Sequence, residues 1–195
     1  MGHPRAIARA LRGALGGARL VELGSGDGTL LLTVARRLGT QATPVRAVLV
    51  DRRPSVSAET RAAFASAGWQ IETAEADVFE WLRRPQAERA DLTLANLFLH
   101  HFREPELRDL LQRVSGQTTR FIACEPRRST SAVIGASLLR FVGCNDVSLH
   151  DARVSVRAGF RHRELSNLWP SDPSWQLNER SAGPFTHMFV ADHAA

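Results

Sequence analysis

Val21-Glu22-Leu23-Gly24-Ser25-Gly26-Asp27-Gly28 joins an apolar run carrying one acid to three glycines at alternate positions. Upstream, Ala18 to Leu23 reads as a strand; downstream, Leu30, Leu31, Val34, Ala35 and Leu38 describe one apolar helix face that stops at Gly39. The stretch is therefore a strand-to-helix turn. A dinucleotide fingerprint places its glycines as G-x-G-x-x-G, whereas here they fall at i, i+2 and i+4, with Glu22 two residues ahead of the first. A carboxylate at that strand end suits a cation or an amino group better than a pyrophosphate. Bare backbone at Gly24 and Gly26 lets a bulky ligand approach closely.

The same alternation continues outward. An N-terminal helix within residues 1–17 is marked by Pro4, by Ile7, Leu11 and Leu15 at four-residue intervals, and by the stop Gly16-Gly17. Val45 to Val50 is a second buried strand, Pro54 to Ala67 a helix, and Trp69, Ile71 and Thr73 alternate as a third strand. Ala90 to Ala95 gives a fourth strand, Pro105 to Gly116 a helix, and Arg120 to Cys124 a fifth strand. Ser129 to Phe141 reads as helical, and 144–170 as a helical insertion. Trp175 to Glu179 and Phe185 to Ala191 close the chain as an antiparallel hairpin about Ser181-Ala182-Gly183-Pro184. The expectation is a single α/β domain over 1–195, Rossmann-like, with a seven-stranded, mainly parallel sheet, helices on both faces and a C-terminal antiparallel hairpin. Ligands in such sheets sit beyond the carboxyl ends of the strands, near the point where strand order reverses.

Composition narrows the class. At 195 residues, 44% hydrophobic and 23% charged, the chain suits one globular core and excludes a disordered, collagen-like or disulfide-stapled protein. Cys124 and Cys144 form no metal-ligand spacing, no metal site is expected, and a reducing cytoplasmic setting follows. No apolar run is long enough to span a bilayer, and no signal peptide is apparent. All 25 basic residues are arginine and there is no tyrosine, so a net charge of +5 carries the pI to 10.9 without marking the chain as strongly basic. Nucleic-acid binding gains little from that number, and the Arg pairs read first as solvated helix ends and loops.

Further acids follow the strands. Asp51, 27 positions beyond Gly24, ends the second strand, where an acceptor can take hydrogen bonds from two vicinal hydroxyls; its simpler role is to cap the helix at Pro54. Ala76-Asp77-Val78 follows the third strand, where Asp77 is also an ordinary helix cap. The fourth strand leads through Asn96 into Leu97-Phe98-Leu99-His100-His101-Phe102.

Taken in order, these steps resemble class I S-adenosylmethionine-dependent methyltransferases, from about Ala18 to the end of the chain. The resemblance implies that Glu22, Gly24, Ser25, Gly26 and Gly28 hold the amino-acid end of S-adenosylmethionine, that Asp51 with Arg52 meets the ribose, and that Asp77 and Val78 meet the adenine. Asn96 belongs to the same cofactor set. The pattern from Asp91 to Phe102 is similar to small-molecule methyltransferases of quinone biosynthesis and lacks the N-P-P-Y type of motif of nucleic-acid amine methylases. His100 and His101 are thereby candidate bases, one facing the acceptor and the other structural; both also fit as buried partners of backbone carbonyls. His150, Val154 and Arg157 share one helical face of the insertion, with Phe160 beyond, so His150 is a third candidate base and Arg157 and Phe160 candidate acceptor contacts. Glu125 is expected to pair with Arg127 or Arg128, and Cys124 to be a buried thiol.

The expected activity is methyl transfer to oxygen or carbon of a small aromatic, phenolic or quinone-like metabolite, leaving S-adenosylhomocysteine. Nucleic acid is disfavoured as a partner, and the oligomeric state is left open. An RNA or protein methyltransferase and a non-catalytic cofactor-binding partner subunit are the other classes the residues admit.

Overall fold

The computed structural model describes residues 2–12, 15–39, 44–85, 88–128 and 159–194. Helix α1 (His3–Leu11) precedes β1 (Arg19–Leu23), α2 (Thr29–Leu38), β2 (Val45–Asp51), α3 (Ala58–Ser66), β3 (Trp69–Glu75), α4 (Val78–Arg83), β4 (Leu92–Asn96), a 3₁₀ turn (Leu99–His101), α5 (Glu104–Gln117) and β5 (Arg120–Pro126). A short helix α6 (Glu164–Leu168) leads to the hairpin of β6 (Trp175–Ser181) and β7 (Thr186–His193). The seven strands run in the order β3-β2-β1-β4-β5-β7-β6. β7 alone runs opposite to the other six strands. The expected Rossmann-like α/β sheet is therefore present, and the order reverses between β1 and β4.

Two apolar cores flank the sheet. Ile7, Leu11, Leu31, Val34 and Phe64 from α1, α2 and α3 pack on one face; Leu82, Leu107, Leu110, Leu111 and Leu165 from α4, α5 and α6 pack on the other. Central strands are buried on both sides, which is why β1 and β5 read as near-continuous apolar runs rather than alternating ones. Cys124 lies within that core and is fully buried, its thiol pushed up to about 12 first by burial and then by the Glu125 charge.

Some boundaries move for local reasons. Helix α3 begins at Ala58, not Pro54, because the Ser57 hydroxyl accepts from the Thr60 amide and caps it there. Residues 52–57 instead form a loop tied back by the Ser55 amide to the Gly26 carbonyl. Ala90 makes only an isolated bridge with Thr118, so β4 starts at Leu92. Of the expected insertion, His150 and Arg157 lie outside the described residues. Its described part is not helical at Phe160, whose amide donates to the Pro126 carbonyl in an extended bridge beside β5.

Glu179 on β6 locks α6 to the hairpin. It accepts from the Leu165 and Ser166 amides at 3.1 and 2.8 Å, from the Ser166 hydroxyl at 2.5 Å and from His187 Nε2 at 2.7 Å. Burial pushes this carboxyl up, but the bonds from His187, Ser166 and Leu165 outweigh it and hold the group below its ordinary value. Its stabilising contribution is thus present above about pH 4.5 and lost as pH falls through the folded-state value. Glu179→Ala should cost ~3–5 kcal/mol at pH 7, since His187 and two amides are left unpaired in the interior. In thermal unfolding the gap from the parent chain should narrow toward pH 3; a gap independent of pH speaks against an ionised Glu179.

Candidate active site

The carboxyl ends of β1, β2, β3 and β4 converge where the strand order reverses, and the turn after β1 shapes the centre. Gly24 holds φ +71° and its amide donates to the Val50 carbonyl at 2.8 Å. A Cβ there would stand 2.2 Å from the Phe98 ring, so only glycine lets that ring close on the turn. Gly28, at φ +74°, lets the start of α2 pack on Leu49, to which a Cβ would come within 3.2 Å; its service is to the turn.

Asp51 fastens the turn to the end of β2. Oδ2 accepts from the Gly26 amide at 2.9 Å and Oδ1 from the Arg53 amide at 2.8 Å. The helix-capping alternative fails because α3 starts seven residues later, at Ala58. Each oxygen of Asp51 keeps acceptor capacity for a further donor. Asp77 does cap a helix, accepting from the Phe79 amide at 2.9 Å, and it also lines the cavity described next.

A cavity of about 330 Å³ opens here, within the size range of small-ligand sites. It is lined by Gly24, Val50, Asp51 and Arg52 after β1 and from β2, by Ala76, Asp77 and Val78 after β3, and by Phe98, His101 and Phe102 after β4. Phe98 and Phe102 meet edge to face with centroids 5.1 Å apart, and Phe102 meets Phe79 likewise at 5.6 Å. The wall is therefore rigid and apolar.

Glu22 is 2% exposed, and its Oε2 has no hydrogen-bond partner among the described residues. Burial first, then the charges of Asp27 and Asp51, push this carboxyl up to about 8. A buried acceptor without a donor is costly and marks a place where an incoming donor is missing. The neighbouring Ser25 hydroxyl is also buried and unpartnered. At the end of β4, Asn96 Oδ1 is 2.9 Å from His3 Nδ1, which ties α1 to the site; the sequence reading gave His3 no such part.

His100 and His101 separate clearly. His100 is buried, with Nδ1 2.7 Å from Glu125 Oε2, while Glu125 Oε1 accepts from the Phe98 and Leu99 amides at 2.9 Å each. Glu125 is fully buried and serves this turn, rather than pairing with Arg127 or Arg128 as expected. Arginine neighbours Glu125 in sequence, whereas the 3₁₀ turn neighbours it only across β4 and β5. His101 instead lines the cavity, its ring 4.2 Å from that of His100. Burial first, then the proximity of His100, lower its pKa from the ordinary value, against an opposing pull from Glu125. His101 is consequently neutral at pH 7 and able to accept a proton.

Phe160 is not brought to the cavity. It is 7% exposed and packs against His187 with ring centroids 6.4 Å apart, inside the second core. Leu97, by contrast, drew no attention in the sequence, yet it is exposed and holds φ +52° between Asn96 and Phe98. A bulky residue in that conformation is strained and is maintained only by its surroundings. Among the described residues no group of three or more His, Cys, Asp or Glu is arranged to hold a metal ion. No helix of the described residues is long and apolar enough to cross a membrane.

The sequence model of the methyltransferase-domain family matches residues 20–118, from β1 through α5. That span is half of the chain and includes the glycine turn, Asp51, Asp77, His100 and His101. The chain belongs to this family, and its class is the methyltransferase domain.

An O-methyltransferase family protein from Burkholderia thailandensis has the same fold at TM-score 0.61 and 18% identity, covering 99% of this chain and 57% of that one. A protein from Bordetella parapertussis described as possibly exported gives 0.68 at 16% identity, over 99% and 67% of the two chains. Magnesium protoporphyrin IX methyltransferase from Synechocystis, with S-adenosylhomocysteine bound, gives 0.60 at 14% identity, over 99% and 84%. At these identities the likeness is one of fold. The chain spans little more than half the length of the Burkholderia protein. No curated protein matches it in sequence.

Proposed function

We propose that the chain transfers a methyl group from S-adenosylmethionine to oxygen or carbon of a small aromatic, phenolic or quinone-like acceptor, with His101 as the base. The observation that carries this reading is an unpartnered buried carboxyl oxygen at Glu22, on the strand that runs into Gly24, together with a cavity at that strand's end lined by Asp51, Asp77 and the rings of Phe98 and Phe102. S-adenosylmethionine, when bound, supplies a methyl group already activated on a sulfonium. What remains for the protein is binding, orientation and removal of one proton.

Glu22 and the bare turn at Gly24 to Gly26 receive the ammonium end of the cofactor, Asp51 accepts from the ribose hydroxyls beside Arg52, and Asp77 with Val78 meets the adenine. Ser25 and Asn96 offer further polar contacts at the amino-acid end. Gly28 acts at one remove, by holding the turn. Phe98 and Phe102 exclude water from the acceptor side, which strengthens every polar contact within. Glu125 holds His100, and His100 stacks beneath His101, so the base is presented by a buried pair. A ring nitrogen of His101 then takes the hydroxyl proton as the acceptor oxygen, or the carbon conjugated to it, attacks. The roles considered for His150 and Arg157 belong to a segment outside the described residues, and Phe160, packed in the second core, does not line the cavity.

The test is incubation of the protein with S-adenosylmethionine and a panel of phenols and quinols, with mass spectrometry for methylated product and S-adenosylhomocysteine. Product from a peptide or an RNA, and none from any phenol or quinol, would overturn the acceptor class. With an active acceptor, His101→Ala should lower kcat ~10²–10⁴-fold while leaving S-adenosylhomocysteine affinity within about threefold. Because the His101 pKa is lowered, the acid limb of the pH profile should lie below 6.5, and it should vanish in the variant. An unchanged kcat removes His101 from the chemistry.

A further inference from the structure

A second hollow, of about 670 Å³, lies between α1, the end of α2 and the β6–β7 hairpin. Its walls carry Arg5 and Arg9 from α1, Arg12 just beyond its end, Arg37 from α2 and Arg180 from β6. No Asp or Glu lines it, and none of the five arginines pairs with a described carboxylate. Arg180 touches only the weak acceptor Sδ of Met188, at 3.8 Å.

Arg9 and Arg37 stand in the last turns of α1 and α2, where a cation complements the helix dipole, and that accounts for them singly. It does not account for Arg5, which sits in the first turn of α1, where no acid is present and a cation opposes the dipole. Nor does it account for Arg180, on a strand. A multiply charged anion in the hollow would relieve both, and guanidinium forks match the geometry of phosphate oxygens.

We infer that this hollow is a binding site for a compact ligand carrying two or more phosphate groups, free in solution or on a lipid headgroup. The convergence of three elements on one concavity favours such a ligand over an extended nucleic-acid strand, which needs a groove or stripe of cations. The site shares no lining residue with the proposed methyl-transfer cavity, so the inference stands or falls independently of that reading.

The experiment is calorimetric titration of inorganic tripolyphosphate into the full chain at low salt, with Arg9→Gln/Arg37→Gln as the site variant. Arg61→Gln/Arg163→Gln, on exposed positions elsewhere, removes equal charge as the control. Saturable binding is expected, weakened at least about tenfold in the site variant and within about twofold of the parent in the control, and falling steeply with salt. Single Arg180→Gln should also weaken binding, which keeps the test available if the double variant folds poorly. Thermal midpoints without ligand report the folding of each variant. Vesicles containing phosphatidylinositol bisphosphate assign the source: sedimentation with them, reversed by tripolyphosphate, places the phosphates on a lipid, and its absence leaves a soluble ligand. Equal weakening in site variant and control, no saturation up to about 1 mM, or an RNA oligonucleotide that binds and is not displaced by tripolyphosphate overturns the inference.

Discussion

Glu22→Gln is expected to weaken S-adenosylhomocysteine binding by ~1.5–3 kcal/mol, roughly ten- to a hundredfold, while making the ligand-free protein more stable in alkali. Both effects come from one buried oxygen. With its carboxyl pushed up to about 8 by burial and by Asp27 and Asp51, Glu22 is mostly protonated at pH 7 without ligand. An ammonium group docking on Oε2 requires the anion, so binding should release close to one proton near pH 7 and tighten as pH rises through 8. Calorimetry in buffers of different ionisation enthalpy measures that release directly; the glutamine variant should show none.

The stability side has the opposite sign. A carboxyl whose folded-state value lies above the ordinary 4.5 favours the fold fully below that pH, and this contribution is lost as pH rises through about 8. Glutamine stays neutral throughout. At pH 9 the variant should therefore exceed the parent chain by on the order of 2–4 kcal/mol, and the two should converge near pH 4. Parallel stability curves together with undiminished affinity would show that Glu22 is neither a buried anion at high pH nor a contact to the ligand.

The second large effect is expected at Glu125. Glu125→Ala leaves the Phe98 and Leu99 amides and His100 Nδ1 without their acceptor inside the core, at a cost of ~3–5 kcal/mol. Glu125→Gln keeps an acceptor but cannot serve all three donors, and should fall between the two. Because the 3₁₀ turn carries Phe98, His101 and Phe102 to the cavity, both variants should lose methyl transfer more steeply than S-adenosylhomocysteine affinity. Thermal unfolding with a KM-against-kcat comparison separates the cases. An alanine variant as stable as the parent chain contradicts the buried network; one destabilised but unchanged in kcat confines Glu125 to folding.

The two variants also show where reading along the chain works and where it stops. Glu22, the alternating glycines, Asp51 and Asp77 each sit within a residue or two of a strand end, and their place follows from local rules: apolar runs make buried strands, glycine permits φ near +70°, and an acid after a strand faces the crevice. The order of those motifs was enough to anticipate a seven-stranded sheet with one reversed strand and the family that the comparison with known domains supports. Cys124 was equally predictable, since a thiol in a continuous apolar run has nowhere to go but the core.

Glu125, Phe160, His3 and the choice between His100 and His101 were not predictable in this way. Each depends on a contact across elements distant in sequence: Glu125 with a turn about 25 residues earlier, Phe160 with the backbone of β5, His3 with Asn96 across 93 positions. Periodicity placed Phe160 at the end of a helical face because spacing alone cannot reveal that its amide is taken by Pro126. The five arginines of the second hollow are scattered from position 5 to 180, and only folding gathers their charges. Local backbone preference and apolar patterning act over a few residues and can be read from order alone; burial, pairing and charge convergence act through space, and they come into being only when the sheet brings its strands side by side.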